Sequence, residues 1–379
     1  MAALRIVLLL TGLALIASIL GGCQLGGPNP TPTPTKTPKP PPGTSSLPSE
    51  VPTATVPPVT PTATAAAAPT LTPDQCPFTG EKMADRPWQQ RRPFAIKIEN
   101  GPGSRPQSGL QDADIVFEHL TEGGITRFTA LFLCHESQAL GPVRSGRLID
   151  LEIPVIFHAF FAYSGASPPV MRKLEASDFA ELILSDWYAD PCFYRLEETA
   201  DRPREHTLYS NTELLWEVAE ERGWNTPQDL TFLAFSETPP TGGSPTTRIF
   251  IPYSKDYSDV LYKYDSEQGN YLRSVLGKPH TDALSGEQIR VTNVLVIYVN
   301  HVETLIIEDA LGSRSVEIQL WGEGRAQLFR DGQVYEAKWV RSGRYAPLLF
   351  LYGEEERIPL KPGNTWIQVV PLNMELEVK

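Results

Sequence analysis

Several common chemistries lack their signatures in this chain. Of its four cysteines, none sits in a C-x-x-C pair or at metal-ligand spacing from a histidine, so zinc and thioredoxin-type redox sites lack their usual signal. No P-loop, His-Glu-x-x-His or dinucleotide fingerprint occurs, and a Gly-x-Ser-x-Gly elbow is also missing. Nucleotide hydrolysis, zinc proteolysis, hydride transfer and serine hydrolysis therefore find little support. Positive charge is also short: 33 Lys plus Arg stand against 45 Asp plus Glu, a net charge of −12. Nothing global pulls such a chain toward nucleic acid or anionic lipid, so any anion site must be local. The apolar run from Ile6 to Leu20 is 15 residues long and is interrupted by Thr11, Gly12 and Ser18. Spanning a bilayer core takes ~20 residues, so this run reads as the apolar core of a signal peptide.

What is present begins with that leader. Residues 1–22 carry one positive charge, Arg5, and end in Leu20-Gly21-Gly22 directly before Cys23. Small residues before a cysteine are the pattern of a bacterial lipoprotein signal. Cys23 is the expected lipidation site, and the expected location is extracytoplasmic, with the chain anchored to the cell membrane by lipid. Residues 23–75 are rich in Pro and Thr, as in Pro30-Thr31-Pro32-Thr33-Pro34, and have almost no large apolar side chains. Such a segment favours extended polyproline II and acts as a semi-rigid tether. At ~3.1 Å per residue, about fifty residues reach on the order of 100 Å.

The remaining residues divide into an α/β domain over 76–240, with a mixed sheet and helices, and a smaller, mostly antiparallel β domain over 241–379. In the first, Phe94 to Ile98 alternates like a half-buried strand and stops at a breaker-rich loop. The runs Asp114–Leu120 and Ile125–Leu133 flank Gly123-Gly124 and suggest a hairpin. The apolar run Ile153 to Tyr163 follows, with His158 inside it as a core residue. Ser167 to Leu184 has helical character. A clearer helix spans Thr212 to Arg222, capped by Asn211 or Thr212 and stopped by Gly223. In the second domain, Arg325 to Trp339 around Asp331-Gly332 is a strong hairpin signal. Export permits one disulfide among Cys76, Cys134 and Cys192, with the pairing open; three unpaired buried thiols are the alternative.

Candidate functional residues fall in short strings of the first domain. Arginine offers a planar fork for carboxylate or phosphate, so Arg144, Ser145 and Arg147 after Gly141-Pro142 form a candidate anion cradle, with Arg127 beside it. Each arginine could equally pair with Glu118 or Glu122 to lock two loops. Glu118 and Glu122 are also candidate acid and base residues, with His206 as a third titratable group. Tyr163, Ser164, His206 and Tyr209 complete the expected ligand contacts. No cofactor and no metal are expected.

The ordered strings Arg92–Asn100, Arg105–Leu110, Ala113–Glu118, Glu122–Phe128 and Gly141–Arg147 resemble the YerB-like lipoproteins, a bacterial envelope family of unestablished biochemical role. Gly322-Glu323-Gly324, Trp339 and Pro362–Trp366 resemble that family's smaller C-terminal domain. The resemblance implies an α/β domain, then a β-rich domain, on a tethered lipoprotein. One departure stands out: Ala162-Tyr163-Ser164-Gly165-Ala166-Ser167 replaces a His-Ala-Gly-Gly-Ser-like string and loses its imidazole. His206 does match the family's His before a Leu-Tyr pair. The expected function is a non-catalytic module whose arginine-lined cleft binds an anionic wall polymer, a peptidoglycan fragment or an envelope protein. The alternative is an envelope hydrolase or transferase acting on glycan or peptide.

Overall fold

A computed structural model describes residues 71–353 and 355–379. The leader, Cys23 and most of the tether lie outside the described residues. Folded structure begins near Gln75, which bridges to Lys82, and Cys76 is fully buried.

The strands that matter here are β1 (Phe94–Glu99), β2 (Ile115–Leu120), β3 (Thr126–Phe132), β4 (Phe160–Tyr163) and β5 (Ile183–Ser185). Next come β6 (Arg248–Ile251), β7 (Val260–Asp265), β8 (Asn270–Val275), β9 (Asn293–Val299) and β10 (Gly322–Arg330). The set closes with β11 (Gln333–Arg341), β12 (Leu349–Tyr352), β13 (Glu356–Arg357), β14 (Thr365–Pro371) and β15 (Glu377–Val378). One long sheet runs β13-β12-β11-β10-β9-β14-β2-β3-β1-β4-β5. Its first-region half is mixed: β1 and β2 are antiparallel to β3, while β4 and β5 extend β1 in parallel. In the other half, β9 through β13 pair antiparallel. The strand β14 enters between β2 and β9, parallel to both, and so joins the two halves. The fold is thus an α/β region with a mixed sheet followed by a mostly antiparallel β region.

Both faces of the sheet centre are covered, and this explains why β9 is apolar at every position but its first. Leu295, Ile297 and Val299 enter one core with Phe117, Phe161 and Trp339, while Val294, Val296 and Tyr298 enter the other with Phe94, Phe128 and Trp366. The second core is shared with β6, β7 and β8, which with β15 form a smaller antiparallel sheet, and with the helix Thr212–Glu221. A separate ribbon of His301–Ile307 and Arg314–Ile318 flanks the first core, where Ile306, Val316 and Ile318 pack.

Local expectations fare unevenly. The helix Thr212–Glu221 is capped by Asn211, whose side-chain oxygen accepts the Leu214 N–H at 2.8 Å, and Gly223 follows with φ +70°. The β10/β11 hairpin turns at Asp331-Gly332, both with positive φ, as a primed turn requires. The expected helix Ser167–Leu184 is shorter: it spans Pro168–Glu175. There the Ser177 hydroxyl captures the Leu174 carbonyl at 2.7 Å, and the chain turns into β5. The run Ile153–Tyr163 divides into a short helix, Ile153–Ile156, and β4. His158 sits between them in a left-handed turn at φ +52° and is exposed, not in the core.

Cys76 and Cys134 form a disulfide, and Cys192 is a buried free thiol.

Candidate functional site

All the parallel strands of the long sheet's centre, β1, β2, β4, β5, β9 and β14, point the same way. Loops beyond such carboxyl ends are where open α/β sheets hold ligands. At this edge lie Glu99, the last residue of β1, Tyr163, the last of β4, and Arg127 near the start of the antiparallel β3.

A sealed polar cluster lies just inside the edge. Lys97 points to the same face as Ala95 and is fully buried. Its Nζ donates to Asp150 Oδ1 at 2.8 Å and Thr129 Oγ1 at 2.9 Å, and contacts His119 Nε2 at 2.6 Å. Burial holds Lys97 down to about 8, against the pull of Asp150. Burial, and then the charge of Lys97, pushes His119 well below its ordinary value. The imidazole is therefore neutral and can accept. This cluster explains how a lysine sits inside a core strand; it has no opening.

The expected arginines are at the edge, but carboxylates meet them. Arg147 grips Glu122 with two bonds, one from Nε at 2.7 Å and one from Nη2, while its Nη1 donates to the carbonyls of Gly146 and Ser145. Arg127 lies 3.8 Å from Glu122 and donates to the Ser145 carbonyl at 2.8 Å. Burial would raise the Glu122 carboxyl, yet the bonds and charge of Arg147, then the charge of Arg127, hold it at about 2. Burial and neighbouring Arg147 lower Arg127 to about 9. Arg144 Nε lies 3.2 Å from Glu99, and Glu308 lies 3.9 Å from Arg147. These guanidinium groups lock loops.

Glu118 and Glu122 do not converge. Glu118 is fully buried, accepting from Asn100 at 3.1 Å and Thr126 at 2.8 Å, and pairs with buried Arg273 of β8 at 2.7 Å. It shares no partner with Glu122. Tyr163 is likewise committed: its ring stacks on Phe161 and its hydroxyl donates to Met171 Sδ at 3.0 Å. Ser145 contributes its carbonyl to the arginines. The Ser164 N–H donates to the Arg144 carbonyl at 2.9 Å, which ties β4 to the arginine loop.

Three expected residues meet an opening: Glu122 lines a cleft of about 620 Å³ with His301 and Arg314, and His206 and Tyr209 meet another. The latter two line a cleft of about 470 Å³ with Arg105, Tyr194, Asp201 and Arg202. His206 Nδ1 is held by Glu99 at 2.7 Å, and Glu99 is braced by Arg144. His206 Nε2 then lies beside Gly103, where any Cβ would come within 3.2 Å of it. The Tyr209 ring rests on Gly141, and a side chain there would meet it at 2.7 Å, which accounts for the Gly-Pro string. Arg105 donates from Nε to Asn100 Oδ1 at 3.0 Å, and from Nη2 to the carbonyls of Asn100 and Tyr257 at 2.6 and 2.7 Å. Its Nη1 has no protein acceptor among the described residues. Burial, then the charge of Arg273, lowers Arg105 to about 10, which leaves it protonated near neutral pH. Neither Arg105 nor exposed Arg202 makes an ion pair among the described residues. Sequence reasoning noticed Arg105 in its string but favoured the arginines after Gly141; Tyr194 and Arg202 lie in a stretch with no motif.

Of metal-ligand groups among the described residues, Cys76, Asp114 and Cys134 lie close together. Both sulfurs are joined in the disulfide, and Asp114 accepts from the Leu133 and Cys134 N–H groups and from His135. No donor set is left open there. Among the described residues no helix is long and apolar enough to cross a membrane.

Comparison with known proteins agrees with this architecture. The family model described as "Protein of unknown function (DUF3048) N-terminal domain" matches residues 78–225, and its C-terminal counterpart matches residues 249–367. A relative in Bacillus subtilis (strain 168), described as "Putative lipoprotein YerB", is 32% identical over 300 residues, covering 78% of this chain and 86% of its own. The crystal structure of YerB protein from Bacillus subtilis superposes with a TM-score of 0.66 at 30% identity, covering 80% of this chain and 99% of that one. The chain therefore belongs to the YerB-like lipoprotein family, built from the paired N- and C-terminal DUF3048 domains.

Proposed function

We propose that this protein is a lipid-anchored extracytoplasmic module that binds an anionic group of a cell-envelope component in the His206 cleft. One observation carries the reading: Arg105 is positioned at the cleft by three hydrogen bonds, yet among the described residues it forms no ion pair and its Nη1 has no protein acceptor. Arg202, which lines the cleft beside Asp201 and forms no ion pair among the described residues, adds a second cation, and His206 a further donor or acceptor. A guanidinium fixed in this way keeps its two Nη1 hydrogens to donate, with its charge, to a phosphate or carboxylate oxygen. The volume is that of a pocket for a small ligand or one unit of a polymer. Tyr194 and Tyr209 supply apolar walls. The anchor rests on Cys23 and on the description of the relative as a lipoprotein.

A second reading has one observation in its favour. Glu99 orients His206 as a carboxylate orients a general base, so envelope hydrolysis or group transfer at the same cleft is the alternative. Glu118 and Glu122 would take no part in it.

Calorimetric titration with a glycerol-phosphate hexamer and with a muramyl tripeptide tests the binding reading. Arg202→Glu lies on an exposed side chain and should leave the fold intact. Binding of at least one probe should weaken by about tenfold, ~1.4 kcal/mol, and fall with added salt. Equal binding by Arg202→Glu and wild type, or no binding of either probe at millimolar concentration, refutes it.

A further inference from the structure

Far from the arginine cleft in chemistry, though on the same edge of the sheet, is a cluster of aromatic side chains that face solvent. Trp187 is 72% exposed, Tyr345 69% and Tyr188 46%. Trp187 and Tyr188 follow the carboxyl end of β5, and both tyrosines reach the end of the helix Pro168–Glu175. The Tyr188 hydroxyl donates to Glu175 Oε1 at 2.7 Å, and the Tyr345 hydroxyl donates to Asp178 Oδ2 at 2.8 Å. These two anchor points are three residues apart in the chain, so both hydroxyls are tied to one helix end.

The two tyrosine rings are held and not merely exposed. Arg344 grips Asp178 with Nε and Nη2 at 2.9 and 2.7 Å, and the same guanidinium reaches Glu152 at 2.9 Å. The Arg344 bonds hold Asp178 down to about 2, so it is an ionised, fixed acceptor for Tyr345. Tyr188 also rests its hydroxyl 3.6 Å from Met171 Sδ, above buried Tyr163. A ring ordered before binding loses little entropy when a ligand arrives.

We propose that Trp187, Tyr188 and Tyr345 form a binding platform for an uncharged pyranose chain. A pyranose has apolar C–H faces and a rim of hydroxyls. Aromatic rings match the first, and fixed carboxylate and guanidinium groups match the second. Most of the charge here is matched, Asp178 and Glu152 by Arg344, with Arg341 also on Glu152, and Asp186 beside Trp187 by Arg195; Glu175, bonded to the Tyr188 hydroxyl, has no ion pair among the described residues, which argues against an anionic ligand. No unmatched arginine of the Arg105 kind stands here. A protein-docking face would include aliphatic side chains. The exposed ones lie elsewhere: Val302, Leu305, Ile307 and Leu311 on the ribbon and its turn, and Leu284, Leu372 and Val378 in other segments.

The test uses the full-length chain and β-1,4-linked N-acetylglucosamine hexamer, with binding read by calorimetry and by tryptophan fluorescence. Trp187→Ala and Tyr345→Ala should each raise the Kd by about tenfold, whereas Trp187→Tyr, which keeps a ring, should stay within about threefold. Thermal melting of all three should match wild type, because the side chains are exposed. Arg202→Glu should bind the hexamer as wild type does, so failure of the anion cleft leaves this platform standing and the reverse also holds. No hexamer binding at millimolar concentration, or unchanged binding by both alanine variants, overturns the proposal.

Discussion

Replacing Glu118 with glutamine separates two roles that a carboxylate in this position could have. Glu118 Oε1 accepts from Asn100 and Thr126, and Oε2 accepts from Arg273 Nη2 at 2.7 Å, with both charged side chains fully buried. Glu118→Gln keeps the size and one carbonyl acceptor but leaves the Arg273 charge uncompensated. Breaking such a buried pair from one side costs about 3–5 kcal/mol. Arg273 has other support: it donates to His280 Nδ1 and Tyr262 Oη, and its guanidinium lies 4.9 Å from the Trp366 ring centre. The cost should therefore fall at the lower end, about 3 kcal/mol, because these contacts still stabilise the cation. For a cooperative unit of roughly 300 residues, that is a fall in Tm of about 5 °C. Calorimetric melting is the assay, completed as a cycle with Arg273→Met. The double variant should lose less than the two singles together, by about 2 kcal/mol, since each single strands the other's charge. A Tm within about 1 °C of wild type and no coupling would refute the reasoning, because a buried charge stranded without its partner cannot be that cheap. Glu118 would then be free to act as an acid or base.

Two further outcomes follow from buried groups. Burial lowers Lys97 to about 8 from 10.5, so between those values the unfolded chain holds a proton that the folded chain has released. Stability of wild type relative to Lys97→Met should accordingly rise as pH climbs from 8 to 10.5, by up to about 3 kcal/mol in urea titrations; a flat difference would contradict it. The Cys76–Cys134 disulfide closes a separation of 58 residues. Replacing both cysteines with alanine should cost about 4 kcal/mol by loop entropy, and a urea midpoint equal to that of the wild type without reductant would show that the link contributes nothing.

Local signals were legible where a short string sufficed. Asn211 and Gly223 bound the helix Thr212–Glu221 because a cap and a left-handed stop act within one turn. Asp331-Gly332 works the same way for β10 and β11. Long-range placement was not legible. The parallel insertion of β14 beside β2 pairs Ile115 with Thr365, and no local pattern encodes that partnership. Phe94–Ile98 looked half-buried because Lys97 alternates with apolar neighbours. In the fold both faces are covered, and Lys97 is tolerated only because Asp150, 53 residues away, meets it. His158 looked apolar from its neighbours, but a left-handed turn places it outside.

The same limit governs the reading of the arginines. A sequence shows where guanidinium groups are dense, and density pointed to Arg127, Arg144 and Arg147. A ligand responds to charge that is left unmatched. Around those three stand Glu99, Glu122 and Glu308, drawn from the end of β1, the β2–β3 turn and the ribbon. Three carboxylates against three guanidinium groups leave little net charge to offer. Arg105 stands alone in sequence and Arg202 has only Arg204 near it, yet neither forms an ion pair among the described residues, and both line the His206 cleft. An arginine string is therefore better evidence for loop locking than for anion binding unless the carboxylates available to it can be counted. In this chain those carboxylates come from up to 161 residues away, the separation of Glu308 from Arg147.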